Sequence, residues 1–184
     1  IDFANTVIAN VATMENLFNY DYFYNGAGVG VLDFDNDGLL DIFFCGNQVE
    51  NKLYKNLGNF KFEDISTKAG INVNKTWSNG ISVVDVNNDG WMDIYVSQGG
   101  PKERIDRKNL HYVNQQDGSF KELAELYGLA DTGISTQSVF FDFDGDGDLD
   151  CFVMNENEFY GVDPINLYKL IEVNDENKYF NSSH

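Results

Sequence analysis

The sequence predicts an all-β repeat protein built of units of four antiparallel strands, and three observations carry that expectation. A nine-residue acidic motif occurs three times, the match between copies extends beyond the motif, and the residues flanking each copy alternate as strands do.

The motif Asp33-Phe34-Asp35-Asn36-Asp37-Gly38-Leu39-Leu40-Asp41 recurs as Asp85-Val86-Asn87-Asn88-Asp89-Gly90-Trp91-Met92-Asp93, then as Asp142-Phe143-Asp144-Gly145-Asp146-Gly147-Asp148-Leu149-Asp150. Outside the motif, Asn51, Tyr54, Asn56, Phe62, Gly70 and Ile71 correspond at a constant offset of 58 to Asn109, Tyr112, Asn114, Phe120, Gly128 and Leu129. A poorer third copy begins at Asn166-Leu167-Tyr168 and reaches Tyr179-Phe180. A structural unit repeats, rather than a short motif alone.

Each motif joins two strands. Val29, Val31 and Phe34 precede the first and Ile42-Phe43-Phe44 follows it; Ile81 to Val84 and Ile94 to Val96 flank the second; Val139 to Phe141 and Cys151 to Val153 flank the third. Lys52 to Lys55 with Asn59 to Phe62, and Leu110 to Val113 with Ser119 to Lys121, supply third and fourth strands, turned at Leu57-Gly58-Asn59 and Gln116-Asp117-Gly118. Thr67 to Gly70 and Glu122 to Gly128 have room for a helical turn closed by glycine, and serve as connectors. Four strands in 50 to 60 residues suit a β-propeller blade. The expected division is 1–25 as the end of a preceding blade or an N-terminal strand, 26–75 as the first unit, 76–133 as the second and 134–184 as an incomplete third.

Composition narrows the function classes. A chain of 184 residues, 42% hydrophobic and 15% aromatic, carries enough apolar matter for a core and is not a disordered acidic tail. Its net charge of −18, with only 12 Lys and Arg, argues against nucleic acid or an anionic membrane as partner and points to cations. No apolar run is long enough for a transmembrane helix, and the first residue is Ile1, so a processing site or the edge of a cut piece is expected there. Cys45 and Cys151 occupy non-equivalent positions of opposite strand parity, which argues against a disulfide between them. Asn74-Lys75-Thr76 and Asn181-Ser182-Ser183 are formal glycosylation sequons of a kind common by chance, and carry no weight.

The acidic loops call for a metal, since two carboxylates about 4 Å apart repel by roughly 4 kcal/mol at an effective dielectric of 20. Calcium accepts about 6–8 oxygen ligands, and a tight turn aims alternate side chains at one such ion. The expected first set is Asp33, Asp35, Asp37 and Asp41 with the Leu39 carbonyl. The second is Asp85, Asn87, Asp89 and Asp93 with the Trp91 carbonyl, and the third is Asp142, Asp144, Asp146 and Asp150 with the Asp148 carbonyl. Gly38, Gly90 and Gly147 permit the sharp turn. Three calcium ions are expected, the second held more weakly because Asn87 lacks a charge. An EF-hand is excluded, because its bidentate Glu at position 12 is replaced by Phe44, Val96 and Val153. Zinc is disfavoured, with only His111 and His184 as imidazoles.

These residues resemble the FG-GAP or VCBS repeats of integrin α-type propellers, and more closely the bacterial and animal cartilage acidic protein-like, ASPIC/UnbV-associated group. The resemblance runs over about residues 20–180 and is carried by Tyr24 to Asp33, Asn51 to Asn56, Phe60 to Ile65 and Phe140 to Asp144. It implies a calcium loop between the first two strands of each blade, at one rim, in an extracellular or cell-surface protein. A bacterial setting is expected, with any lipid anchor in an N-terminal part preceding this chain. Propellers close with about 4–8 blades, so three loops imply part of a larger propeller of about seven blades.

The resulting expectation is a non-enzymatic module in which calcium is structural, with a surface protein complex or a glycan as partner. Tyr20, Tyr22, Phe23, Tyr24 and Trp77 are of a kind that stacks on sugars, and equally of a kind that builds cores. The competing expectation is the propeller part of a calcium-dependent polysaccharide lyase. Against it, there is no GxSxG elbow and no acid–base pair outside the loops, and His111 falls at the strand position of Leu53. Basic residues are dense only from Lys102 to Lys108, an insertion that reads as a solvated loop or a partner contact. A pure scaffold, with no ligand beyond the metal, is a third reading.

Overall fold

A computed structural model describes residues 1–71, 76–101, 107–156, 168–173 and 176–181, the last two stretches as backbone strands. Asn74 and Lys75 of the first sequon, 102–106 of the basic run, Asn166-Leu167 and Ser182-Ser183 lie outside the described residues.

The first motif joins β1 (Val29–Leu32) to β2 (Asp41–Phe44), and β3 (Lys52–Asn56) and β4 (Phe62–Asp64) complete an antiparallel sheet in the order β1-β2-β3-β4. The second unit repeats this order with β5 (Ser78–Val84), β6 (Asp93–Gln98), β7 (Leu110–Asn114) and β8 (Phe120–Glu122). The registers agree between the units, at an offset of 52 in the second strand and 58 in the third and fourth: Phe43 faces Leu53 as Tyr95 faces His111, and Asn56 faces Phe62 as Asn114 faces Phe120. In the third unit β9 (Ile134–Phe141) pairs with β10 (Asp150–Glu156), while β11 (Tyr168–Val173) and β12 (Glu176–Asn181) pair with each other. This is an all-β architecture of successive propeller-type blades.

The sheets pack face to face, because alternate residues of each strand are apolar on the side that meets the next unit. Leu32, Phe34, Phe43 and Leu53 of the first unit join Ile94, Val96, Tyr112 and Phe120 of the second in one buried cluster. Phe43 lies 6.3 Å from Tyr112 and Phe34 lies 6.1 Å from Phe120, ring to ring. Burying a side chain such as Phe43 contributes roughly 1.5–3 kcal/mol. The third unit leans on the second through the Tyr95–Phe140 contact at 5.4 Å and through Ser82, whose hydroxyl donates to the Ser138 carbonyl at 2.6 Å.

Several strand boundaries differ from expectation for identifiable reasons. The fourth strand does not begin at Asn59. Leu57 donates to the Lys61 carbonyl and Lys61 to that of Gly58, closing a turn in which Asn59 and Phe60 both have positive φ, so pairing starts at Phe62. Strands β5 and β9 begin at Ser78 and Ile134, ahead of the apolar residues that signalled them. The opening residues of β5, Ser78-Asn79-Gly80, are small or polar because β9 comes close to it there. A Cβ on Gly80 would collide with the Thr136 carbonyl.

The two connectors are single helical turns with identical endings. Gly70 donates to the Thr67 carbonyl and Ile71 to that of Ser66; Gly128 donates to Glu125 and Leu129 to Ala124. Both are Schellman closures, with φ of 72° and 69° at the glycines. Residues 1–25 form no paired strand apart from the isolated bridge between Asn10 and Glu15. Phe3 stacks on Phe44 at 4.8 Å, Asn5 and Asn47 exchange hydrogen bonds, and Gln48 does the same with the backbone of Ile8.

Three of the five aromatics weighed as sugar platforms are core residues. Tyr20, Phe23 and Trp77 are buried against one another, which removes their faces from any ligand, whereas Tyr22 and Tyr24 are exposed. Cys45 and Cys151 are both free thiols.

Candidate metal centre

Each acidic loop is first a set of turns held by its own carboxylates. Asp33 accepts from the backbone amides of Asp37 and Gly38 at 3.0 and 2.9 Å, and Asp85 accepts from Asp89 and Gly90 at 3.0 and 2.8 Å. Asp142 accepts from Gly145 and Gly147 at 2.7 and 3.1 Å. At position 5, Asp37, Asp89 and Asp146 accept from Leu39, Trp91 and Asp148 at 2.9, 2.9 and 3.1 Å. The position-6 glycines Gly38, Gly90 and Gly147 have φ of 84°, 85° and 96°, which a Cβ would resist.

This folding converges the carboxylates. Oxygen atoms of Asp33, Asp35 and Asp37 lie within 4.8 Å of one another, and so do those of Asp142, Asp144 and Asp146. In the second loop Asn87 stands between Asp85 and Asp89, and its amide donates to Asp89 at 3.0 Å. One oxygen of Asp35 is enclosed and has no hydrogen-bond partner. A carboxylate oxygen so placed lacks the donor that burial demands, and a cation supplies what it lacks.

The final aspartates are placed differently. Asp41 is buried and accepts from the amides of Phe34 at 3.1 Å and Asn56 at 2.8 Å, so it ties the loop to the third strand. Asp93 does the same with Val86 at 3.3 Å and Asn114 at 2.8 Å. Asp150 accepts from Phe143 at 2.9 Å but is exposed. Burial raises the Asp41 carboxyl above the usual range and pushes Asp93 up to about 6, against the lowering effect of their amide donors. Repulsion from the acidic neighbours acts in the same upward direction. In the first and third loops positions 1, 3 and 5 thus face one another, while in the first and second position 9 anchors the loop; Leu39, Trp91 and Asp148 follow the turn at position 7.

The carboxylates respond to what surrounds them. Asp37 is held below the ordinary range, first by the Leu39 amide and then by Lys55. Asp89 is also lowered: desolvation opposes this, but the Trp91 amide and the side chains of Gln116 and Asn87 outweigh it. In the third loop the amide and side chain of Asp148 lower Asp146, while hydrogen bonding and repulsion from Asp146 raise Asp148.

Sequence reasoning missed two parts of this centre. Lys55 reaches from β3 to the carboxylates of Asp35 and Asp37, and the signal was its charge at a repeat position filled by Val113 in the second unit. Asn56 and Asn114 were recognised as repeated, but not as side chains that donate to the position-8 carbonyls of Leu40 and Met92 at 2.9 and 3.2 Å.

The donor set is all oxygen, which suits a hard cation such as calcium rather than zinc. Loaded with calcium, the loops would have the repulsion among their carboxylates neutralised. The residues that would hold it are Asp33, Asp35 and Asp37 in the first loop and Asp142, Asp144 and Asp146 in the third, whose oxygens converge, with Asp85, Asn87 and Asp89 at the same positions of the second.

Comparison with known proteins agrees with the blade architecture. Residues 33–96 and 104–153 match the family model for the FG-GAP-like repeat. The chain is similar to cartilage acidic protein 1 of Xenopus tropicalis, 29% identical over 150 residues, which cover 81% of this chain and 22% of that protein. It is similar to the Mus musculus protein of the same name, 28% identical over 131 residues, 71% of this chain and 20% of the relative. The chain therefore spans about a fifth of the length of the curated relatives it matches. With matches that run from the first acidic loop to the strand after the third, the chain belongs to the FG-GAP-like repeat family.

Proposed function

We propose that this chain is a calcium-binding, non-enzymatic repeat module of an extracellular or cell-surface protein, in a bacterial setting, and that a surface protein or a glycan docks on it. The observation that carries the reading is the convergence of three carboxylates in the first and third loops, at the same place in two of the three units. The enclosed, partnerless oxygen of Asp35 supports it. Calcium acts structurally here. It relieves the repulsion within each loop, binds the folded chain but not the unfolded one, and so stabilises the fold in proportion to its concentration. A calcium-replete compartment suits such a chain.

Equilibrium dialysis against calcium, followed by a metal count by mass spectrometry, tests the reading. About three ions per chain are expected, one for each loop of oxygen donors. No bound calcium would overturn it. For the non-enzymatic half, incubation with acidic polysaccharides is expected to leave them intact, and turnover would overturn it. Retention on an immobilised glycan panel or surface protein then identifies the partner.

A further inference from the structure

The first loop contains a positive charge of its own. Lys55, on the third strand of the unit, sets its ammonium against one oxygen of Asp35 and 3.1 Å from one of Asp37. These are two of the three carboxylates that converge in this loop. The other lysine of β3 behaves differently. Lys52 pairs with Asp64 at 3.1 Å and Glu50 at 3.5 Å, away from the acidic motif. Position in the strand explains the contrast, since Lys55 lies next to Asn56, whose amide is bonded to Asp41 at the base of the loop. The Lys55 ammonium also lies 5.8 Å from the Phe34 ring centre, so its stem follows the loop inward.

The second loop solves the same problem without a cation. Val113 occupies the position of Lys55, and Asp89 instead receives neutral amides from Asn87 and Gln116, each at 3.0 Å. Four carboxylates with one ammonium, and three carboxylates with one amide, leave the same three negative charges in the two loops. The third loop gathers five aspartates, at positions 1, 3, 5, 7 and 9.

We propose that Lys55 is a tethered counter-ion of the first loop, which a divalent cation must displace to bind there. This rests on the calcium reading above and concerns the regulation of that site. The ammonium holds one oxygen of Asp35 and one of Asp37, while the other Asp35 oxygen is the enclosed, partnerless one; a metal ion at about 2.3–2.6 Å from this pair of carboxylates brings its charge against the ammonium and crowds it out. Metal entry at the first loop is therefore an exchange of charge. The loop is preformed and partly neutralised without metal, and binds calcium more weakly than its four aspartates alone would. The charge advantage of the first loop over the second, read from Asn87, is cancelled.

Two properties move in opposite directions when Lys55 is removed, which separates this role from ordinary packing. Calcium affinity is measured by titration calorimetry on the 184-residue chain and on Lys55→Met, each also carrying Asp89→Ala and Asp146→Ala so that one intact loop remains. Lys55→Met is expected to bind calcium about three- to tenfold more tightly. Without metal, in chelator, K55M in the otherwise intact chain is expected to melt about 2–4 °C lower, because the carboxylates lose their counter-charge. Should the one-loop background fail to fold, the calcium half-saturation of the intact chain with K55M or K55Q is read instead, with the same expected direction. Equal affinity with and without Lys55, or a loss of both affinity and stability, would overturn the proposal while leaving the calcium reading standing. If the unaltered chain takes up no calcium, both fall together.

Discussion

The side-chain amide of Asn114, in the second unit, donates to the carbonyl of Phe34 in the first at 2.8 Å, while its backbone amide donates to Asp93 at 2.8 Å. One residue thus joins the base of the second loop to the start of the first. Among the described residues its counterpart Asn56 bonds within its own unit, donating to Leu40 and Asp41 and accepting from Gly58. Asn114→Ala is expected to cost about 1–3 kcal/mol, because it orphans a buried carbonyl as well as removing the bond. Asn56→Ala should cost less, since its carbonyl partner is in an exposed residue. Urea unfolding of the two variants checks this, and equal losses would show that the inter-unit bond contributes nothing.

The final aspartate of a loop and the fifth residue have separable roles. Asp93 satisfies two backbone amides, whereas Asp89 is exposed. Asp93→Ala is expected to destabilise the metal-free chain by about 2–4 kcal/mol. Asp89→Ala should leave the metal-free chain nearly unchanged and reduce its calcium response. Unfolding in chelator and in calcium distinguishes them.

His111 gives the fold a pH dependence. It is fully buried between the rings of Tyr95 and Tyr127, and desolvation lowers it to about 4, with Glu122 pulling the other way. Well above its ordinary value of 6.5 the imidazole is neutral in both folded and unfolded chains, and its titration costs nothing. As pH falls from about 6.5 toward 4, the unfolded chain takes up a proton that the fold refuses, and stability declines by up to about 3 kcal/mol. His111→Leu, which installs the residue of the equivalent position Leu53, should remove this decline. The difference in unfolding free energy between the two chains is expected to change between pH 6.5 and 4 and to be flat above pH 7.

The two Schellman glycines should tolerate substitution unequally. A Cβ on Gly70 would stand 2.8 Å from the Phe120 carbonyl oxygen, whereas one on Gly128 meets open space. Gly128→Ala is expected to cost about 1–2 kcal/mol for the left-handed backbone alone, and Gly70→Ala more. Thermal melts of both variants test the order.

Much of this was legible because the repeat was written in residues with strong local preferences. Strands on either side of each loop declared themselves through β-branched and aromatic residues, and Gly70 and Gly128 marked the connector ends. Strand starts were not legible where Ser78, Asn79 and Gly80 form a strand against all propensity, because close approach of the neighbouring unit selects small side chains. The turn from Leu57 to Lys61 was misjudged because positive φ at Asn59 and Phe60 is imposed by closing bonds, not announced by glycine. In the loops, sequence listed the oxygen donors but gave all four aspartates the same role. Only the structure separates the converging positions 1, 3 and 5 from the anchoring Asp41 and Asp93, and places Lys55 among them.

The central claim is that these loops are calcium sites on which the fold depends, and thermal unfolding of the chain in calcium, in magnesium and in chelator tests it most directly. At a calcium concentration about a hundred times its dissociation constant, a single site adds about 2.7 kcal/mol, so a rise of several degrees over chelator is expected. Magnesium should give little of it, since its octahedral demand suits these turns poorly. Identical melting in all three would contradict the account and reduce the three motifs to acidic turns.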